Sequence, residues 1–443
     1  MAWAFERWIR LRRVGTNNRF GWEVKDLSVT EKISFRTLGV LAVIVVSGLL
    51  LFTMRHKPRP IEPTPGMETS RRLWVRVLLF DNMKEFALST PSGFTVLDGD
   101  GRIAAQFTES CGAVLVAVLE GGIVIGEHVF GNHVRIEPDD PFVFGVNNEA
   151  YRGHVQLIVA SDGESFDVVN SLPLESYLAG VIGEEMPSYW ETEALKAQTI
   201  AARTYCLFMK ARFGARREWD VTRTQANQVY GGIKSESPMV WDAIRQTSGC
   251  VLVCRRGDGE EIFPTYYSST CGGHTEDSSH VFGDSYEPLR GVPCPYCEDV
   301  ARRSFFQWPT VSFAAADVSR RIIERYPRFK SLERIVAVEP GQVSEYEGFK
   351  RNGSLRLVGV NGRSKTLRAE DMRLTIDRTG KKIKSNSYEI SPRGEQFVFS
   401  GGRGFGHAVG MCQYGAEGMA RKGKDFKTIL KHYFPGSSIR RVQ

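Results

Sequence analysis

Thr37 to Met54 (TLGVLAVIVVSGLLLFTM) is a run of 18 residues without a charge. As a helix, a run of that length spans the hydrocarbon core of a bilayer. A helix also satisfies its own backbone groups in lipid, so few other folds are open to this segment. No small-residue cleavage site of the A-x-A kind follows it, which predicts an uncleaved signal anchor. Arg7, Arg10, Arg12, Arg13, Arg19, Lys25, Lys32 and Arg36 precede it, and only Arg55, Lys57 and Arg59 follow closely. That asymmetry predicts a cytoplasmic N-terminus, with everything after residue 54 outside the cytoplasmic membrane.

The chain has 443 residues, 42% of them apolar and 25% charged, enough for a sizeable core in more than one domain. Its net charge of +7 suits an anionic polymer or a membrane surface. The excess is too diffuse to argue for nucleic acid. Composition and turn signals divide the chain into a basic arm (1–36), the anchor (37–54) and a proline-rich linker (55–70). A β-rich part (71–170), a core carrying a metal site (171–309), an α/β insertion (310–399) and a glycine-rich, helical end (400–443) follow. The expected fold class is α+β: an anchor, a β-rich region and a mixed α/β catalytic domain with a groove.

Pro173 to Pro187 has the pattern of one amphipathic helix. Leu174, Tyr177, Leu178, Val181 and Ile182 recur at helical spacing. Glu185 falls on the same face and Glu184 does not, because 3.6 residues make a turn. A carboxyl on a buried-type face, at the negative end of a helix dipole, should have a raised pKa. That prepares a general acid for work near neutral pH. Two adjacent carboxylates on a helix point apart, so Glu184 and Glu185 do not form the facing dyad of an ordinary glycosidase. A second helix should follow, opened by a capping box of Ser188 and Glu191. Ala194, Ala197, Ala201, Tyr205 and Phe208 would line one of its faces.

Cys271-Gly272-Gly273-His274 and Cys294-Pro295-Tyr296-Cys297 pair a C-x-x-H with a C-x-x-C, the ligand pattern of a tetrahedral zinc site. Four protein ligands would close the site and make the zinc structural. His280 or Asp277 are alternatives to His274, and a disulfide is the alternative to a metal in an exported domain. Cys250 and Cys254 sit at strand spacing and are expected to be core thiols. The run Gly402 to Gly410 (GRGFGHAVG) lacks the register of a dinucleotide loop and is followed by no phosphate-binding lysine. Its glycines would let the backbone approach a ligand, leaving His407 and Gln413 facing it.

Several ordered words together resemble the sporulation stage II protein D / amidase-enhancer family. They are VNSLPLESYL (169–178), Glu185-Met186-Pro187, EALKAQ (193–198), AARTY (201–205), YYSSTCGG (266–273) with Thr275-Glu276, GFGH (404–407), GMCQYGA (410–416) and HYFPG (432–436). The resemblance covers roughly residues 70–440. It implies a lytic transglycosylase acting on peptidoglycan glycan strands stripped of peptides, with Glu185 as the catalytic acid, and a cell-wall amidase as a further partner. Lys196, Arg203, His407, Gln413 and Tyr414 are the expected substrate-binding residues. Two positions depart from the pattern: Ala408 stands where a second glycine is common, and Cys412 where serine is common. A non-catalytic glycan-binding module that stimulates an amidase is the alternative function.

Overall fold

The computed structural model describes residues 64–68 and 73–442. The basic arm, the apolar run Thr37–Met54 and most of the linker lie outside the described residues. Among the described residues no helix is long and apolar enough to cross a membrane. All that follows lies in the unit Glu62–Gln443.

The fold is mixed α and β with many strands. A seven-stranded sheet is built on Trp74–Met83 running antiparallel to Phe166–Pro173, with Trp74 opposite Pro173. A six-stranded sheet that includes Glu85–Thr90 and Cys111–Leu119 lies beside it in sequence. Along the first strand Val75, Val77 and Leu79 are buried while Arg76, Leu78 and Phe80 are less so, the period of two that a pleated strand imposes. Leu88 and Val116 of the six-stranded sheet join Val77 and Leu157 of the seven-stranded one in a single apolar core.

Among the described residues, seven helices of eight residues or more follow: α1 (Leu174–Glu185), α2 (Thr192–Phe213), α3 (Pro238–Gln246), α4 (Ala315–Arg325), α5 (Ala369–Ile376), α6 (Gln413–Arg421) and α7 (Phe426–Tyr433). Helix α2 has 22 residues and is about 33 Å long. Ala194, Ala197, Ala201 and Ala202 are all buried on it. Their small side chains let α1, α3, α6, α7 and the strand Cys250–Arg256 pack on one rod. The expected capping box at its start does not form. Glu191 is the N-cap residue without a side-chain cap bond, and its N–H donates to Glu417 Oε2 at 3.0 Å instead. The hairpin Cys250–Arg256 with Gly259–Ile262 turns where Gly257-Asp258-Gly259 predicts, and takes Ser438–Arg441 as a third strand.

Residues 308–399 hold a second core, with Trp308, Val318, Ile322, Leu355, Met372 and Phe399 buried together. The chain enters and leaves this lobe side by side. Gln307 bridges Arg403, and Trp308 N–H donates to Gly402 O at 3.0 Å. Only glycine fits at 402, because a Cβ there would lie 2.1 Å from the Trp308 ring.

Candidate active site

Helix α1 grows straight out of the strand Phe166–Pro173, and Pro173 serves as its N-cap with extended ψ. Leu174, Tyr177, Leu178, Val181 and Ile182 are buried, as the helical spacing requires. Glu185 is the last helical residue and turns partly inward on that face, while Glu184 is exposed and accepts a hydrogen bond from Ser235 Oγ. Glu185 Oε1 accepts from Val229 N–H at 3.2 Å, and Oε2 from Gln413 Nε2 at 3.4 Å. Burial pushes its pKa from 4.5 up to about 7, against the opposing pull of those two donors; the neighbouring charge of Glu184 adds to the rise.

The two donors come from separate stretches of the chain. Val229 lies on a segment that packs against bare helix backbone. A Cβ at Gly183 would lie 1.8 Å from Ser235 O, and one at Gly180 would lie 2.5 Å from the Tyr230 ring. Glycine in a helix costs about 1 kcal/mol relative to alanine, so this close approach is what those two glycines provide. Behind Val229, Gln228 accepts from Tyr177 Oη at 3.2 Å and its Nε2 lies 2.9 Å from Tyr267 Oη and 3.2 Å from Ala202 O. This buried network fixes the segment against α1 and α2.

Gln413 comes from the far end of the chain. Strand Met411–Cys412 pairs in parallel with Tyr267–Ser268, which sets Gln413 as the first residue of α6. Tyr414 anchors the same turn, its N–H donating to Ser269 O at 3.1 Å and its ring meeting Trp190 edge-on at 4.8 Å. A cleft of about 320 Å³ opens between Tyr205, Asn227 and Tyr267 of the core and Arg368, Glu370 and Leu374 at the start of and along α5. Glu185 does not itself line this cleft, but its charge acts on Tyr205 and Tyr267 of the cleft wall. His407 also lines the cleft, with Phe282 edge-on at 5.0 Å. Burial pushes its pKa down to about 4 against the pull of Glu370, so the ring is neutral at pH 7. Its Nδ1 accepts from Val409 N–H at 3.0 Å, which puts the proton on Nε2. Ala408 is buried with φ of 62°, a left-handed conformation that explains why glycine suits this position and that costs alanine about 1–2 kcal/mol.

Of the expected binding residues, Gln413 bonds to the acid, His407 lines the cleft, and Tyr414 anchors the turn that carries Gln413. Lys196 and Arg203 do not have the free cationic heads that binding requires. Lys196 Nζ lies 2.6 Å from Glu193 Oε1 and over the Phe426 ring. Arg203 is fully buried; its guanidinium clasps Glu175 at 3.0 and 2.6 Å and donates to Cys250 O at 3.0 Å. It is a core strut at the other end of α1, about 15 Å from Glu185 by helical rise.

The expected ligand set also changes. The Sγ atoms of Cys271, Cys294, Cys297 and Cys412 all lie within 4.8 Å of one another, and all four residues are buried. His274 is not in this group. Gly272 and Gly273, both with positive φ, turn the chain after Cys271, and His274 then pairs with Pro293. Its ring stacks on Tyr346 at 4.1 Å, with Nδ1 2.6 Å from Thr275 O. His280 Nδ1 faces Glu276 at 3.1 Å, and Asp277 Oδ1 caps Ser279 N–H at 2.8 Å. Cys412 was passed over because no neighbouring cysteine or histidine marks it as half of a ligand pair. The backbone donor of Val229 and the Gln228 network carry no sequence motif either.

The family model described as Stage II sporulation protein matches residues 162–254, the stretch that contains α1 and Glu185. An uncharacterized protein of Brachyspira hyodysenteriae is 30% identical over 327 residues, covering 74% of this chain and 82% of that protein. The Stage II sporulation protein D of Bacillus subtilis is 30% identical over 286 residues, 61% of this chain and 75% of its own length. The protein named Amidase enhancer from the same organism is 29% identical over 350 residues, which span 70% of this chain but 47% of that protein. The ordered motifs, the geometry that they build around Glu185 and these alignments agree: this chain belongs to the stage II sporulation protein D family.

Proposed function

We propose that this protein is a membrane-anchored lytic transglycosylase that cleaves peptidoglycan glycan strands, stripped of their peptides, through the single acid Glu185. One observation carries the reading: a partly buried carboxyl whose pKa is raised to about 7, with two donors on its oxygens and its charge acting on two tyrosines of the cleft wall. Protonated, Glu185 gives its proton to the glycosidic oxygen. Val229 N–H and Gln413 Nε2 then hold the carboxylate that results, ready to take the proton of the sugar's own C6 hydroxyl. The attacking oxygen closes a 1,6-anhydro ring, so the reaction is intramolecular and needs neither a second carboxylate nor a bound water. Glu370, on the cleft wall, is unsuited to the acid's part. Burial opposes its ionisation, but the charge and hydrogen bonds of Arg373, together with the further contacts of Glu370 such as Asn386, outweigh that and hold its pKa below the usual value. Incubating the protein with denuded glycan strands should release products with anhydro-muramyl ends. The rate should fall as pH rises through about 7, because the acid must carry its proton. Cleavage with reducing ends only would contradict the intramolecular step.

The relative named Amidase enhancer favours a second reading, in which the cleft binds glycan and stimulates a cell-wall amidase. A folded protein that never cleaves glycan but accelerates an amidase would promote it. Either activity requires a location outside the cytoplasmic membrane, for which the run Thr37–Met54 is the anchor. Protease added to intact spheroplasts should degrade the part beyond residue 54. Full protection of that part would overturn the topology.

A further inference from the structure

Four cysteines from three separate stretches of chain end in one small buried volume. Cys271 lies just beyond the strand Tyr267–Ser268, and Cys294 and Cys297 flank the turn Pro295-Tyr296. Cys412 ends its strand and caps α6, with Sγ accepting from Gly415 N–H at 3.4 Å. None of the four is in a disulfide, and the Sγ atoms of Cys271 and Cys297 are 3.8 Å apart. Zinc–sulfur bonds of about 2.3 Å in a tetrahedron place sulfurs about 3.8 Å from one another. The spread of 4.8 Å or less therefore closes onto an ion with small side-chain shifts.

Backbone donors point at two of the sulfurs. Cys271 N–H points at Cys412 Sγ at 3.2 Å, and Gly273 N–H at Cys271 Sγ at 3.5 Å. The Tyr433 hydroxyl is 3.1 Å from Cys294 Sγ. Donors aimed at sulfur from outside are how a metal centre orients and stabilises its ligands. Gly415 clears the space, since a Cβ there would lie 2.6 Å from Cys294 Sγ and 2.0 Å from Tyr433 Oη. An all-sulfur set is soft and suits zinc over magnesium or calcium.

We propose that Cys271, Cys294, Cys297 and Cys412 bind one zinc ion as a closed, structural four-thiolate site. Binding releases the thiol protons to solvent and involves no redox step. With all four positions taken by protein, the ion has no place for a reacting water. It ties α6 to the strand before Cys271 and to the turn at Pro295, directly behind Gln413. The metal assignment is independent of the transglycosylase reading and is tested without an activity assay.

The full-length protein, purified under reducing conditions without chelator, should contain one zinc per chain by elemental analysis. Cobalt exchanged into it should give the strong visible bands and sulfur-to-metal charge transfer of a tetrahedral four-thiolate centre. His274→Ala should keep one metal per chain, and Cys412→Ser should lose it or show a weakened, three-sulfur cobalt spectrum. If Cys412→Ser does not fold, the wild-type cobalt spectrum still distinguishes four sulfurs from three sulfurs and a nitrogen. Metal-free wild-type protein, iron in place of zinc, disulfides mapped among these four residues, or metal lost on His274→Ala would each overturn the proposal.

Discussion

Glu185→Gln should lose about 10²–10⁴-fold in glycan cleavage, the usual worth of general acid–base assistance, while Glu184→Gln keeps most of the wild-type rate. The amide keeps the shape of the side chain and can still accept from Val229 N–H, but it has no proton to give. Glu184 is exposed and bonded to Ser235, off the buried face toward which Glu185 turns. The same substitution should also change stability, in a pH-dependent way. Folding raises the Glu185 pKa from 4.5 to about 7, so the native state holds this proton more tightly than the unfolded chain. At about pH 4 and below, both states are protonated and nothing is lost. As pH rises from there to about 7 the native state pays an increasing penalty, and above that the full penalty stands, up to about 3 kcal/mol. Glu185→Gln removes it. The variant should therefore be more stable than wild type at about pH 8 and nearly equal to it at about pH 4. Thermal melts of both proteins across that range check this. An active Glu185→Gln protein that still releases anhydro-muramyl ends would sink the mechanism, and an unchanged stability difference across pH would sink the burial argument.

Arg203→Ala should destabilise the fold by about 3 kcal/mol, measured by urea unfolding, with no selective loss of glycan affinity in the folded fraction. Its guanidinium is fully buried and makes three bonds, two to Glu175 and one to Cys250 O. Removing one partner of a buried ion pair usually costs about 3–5 kcal/mol. The lower figure applies because the Glu175 side chain is 29% exposed and can recover water. Arg203→Lys should restore only part of the loss, because an ammonium cannot make the two-pronged contact. Weakened binding with unchanged stability would instead return Arg203 to the substrate.

The acid was readable in the sequence and its environment was not. Apolar residues from Leu174 to Ile182 fix the phase of α1 over more than two turns, and that phase alone separates Glu185 from Glu184. The donors on Glu185 come from Val229 and Gln413, and no local pattern connects either to α1. Gly180 and Gly183 are the faint signal, since two glycines inside a helical pattern imply something pressed against it. Arg203 and Lys196 show the opposite error: a basic residue near the Glu185 helix suggests an anionic ligand, yet in the fold Glu175 and Glu193 have already claimed them. Cys412 was hidden for a third reason. Its place among the four sulfurs depends on the register that sets Ser268 opposite Cys412, a long-range pairing that spacing rules do not see.

Gln413 reaches Glu185 across 228 residues of chain. During synthesis the acid, its helix and the Val229 segment emerge long before α6 exists. Until α6 has been made and docked, that side of the Glu185 carboxyl lies open to water, and an open carboxyl has an ordinary acidity. A chain broken off before residue 411 would keep the acid but lack one wall of its site. On the proposed function, the arrangement thus makes synthesis and docking of α6 a condition for arming the acid, a safeguard that would suit an enzyme acting on the wall around its own cell.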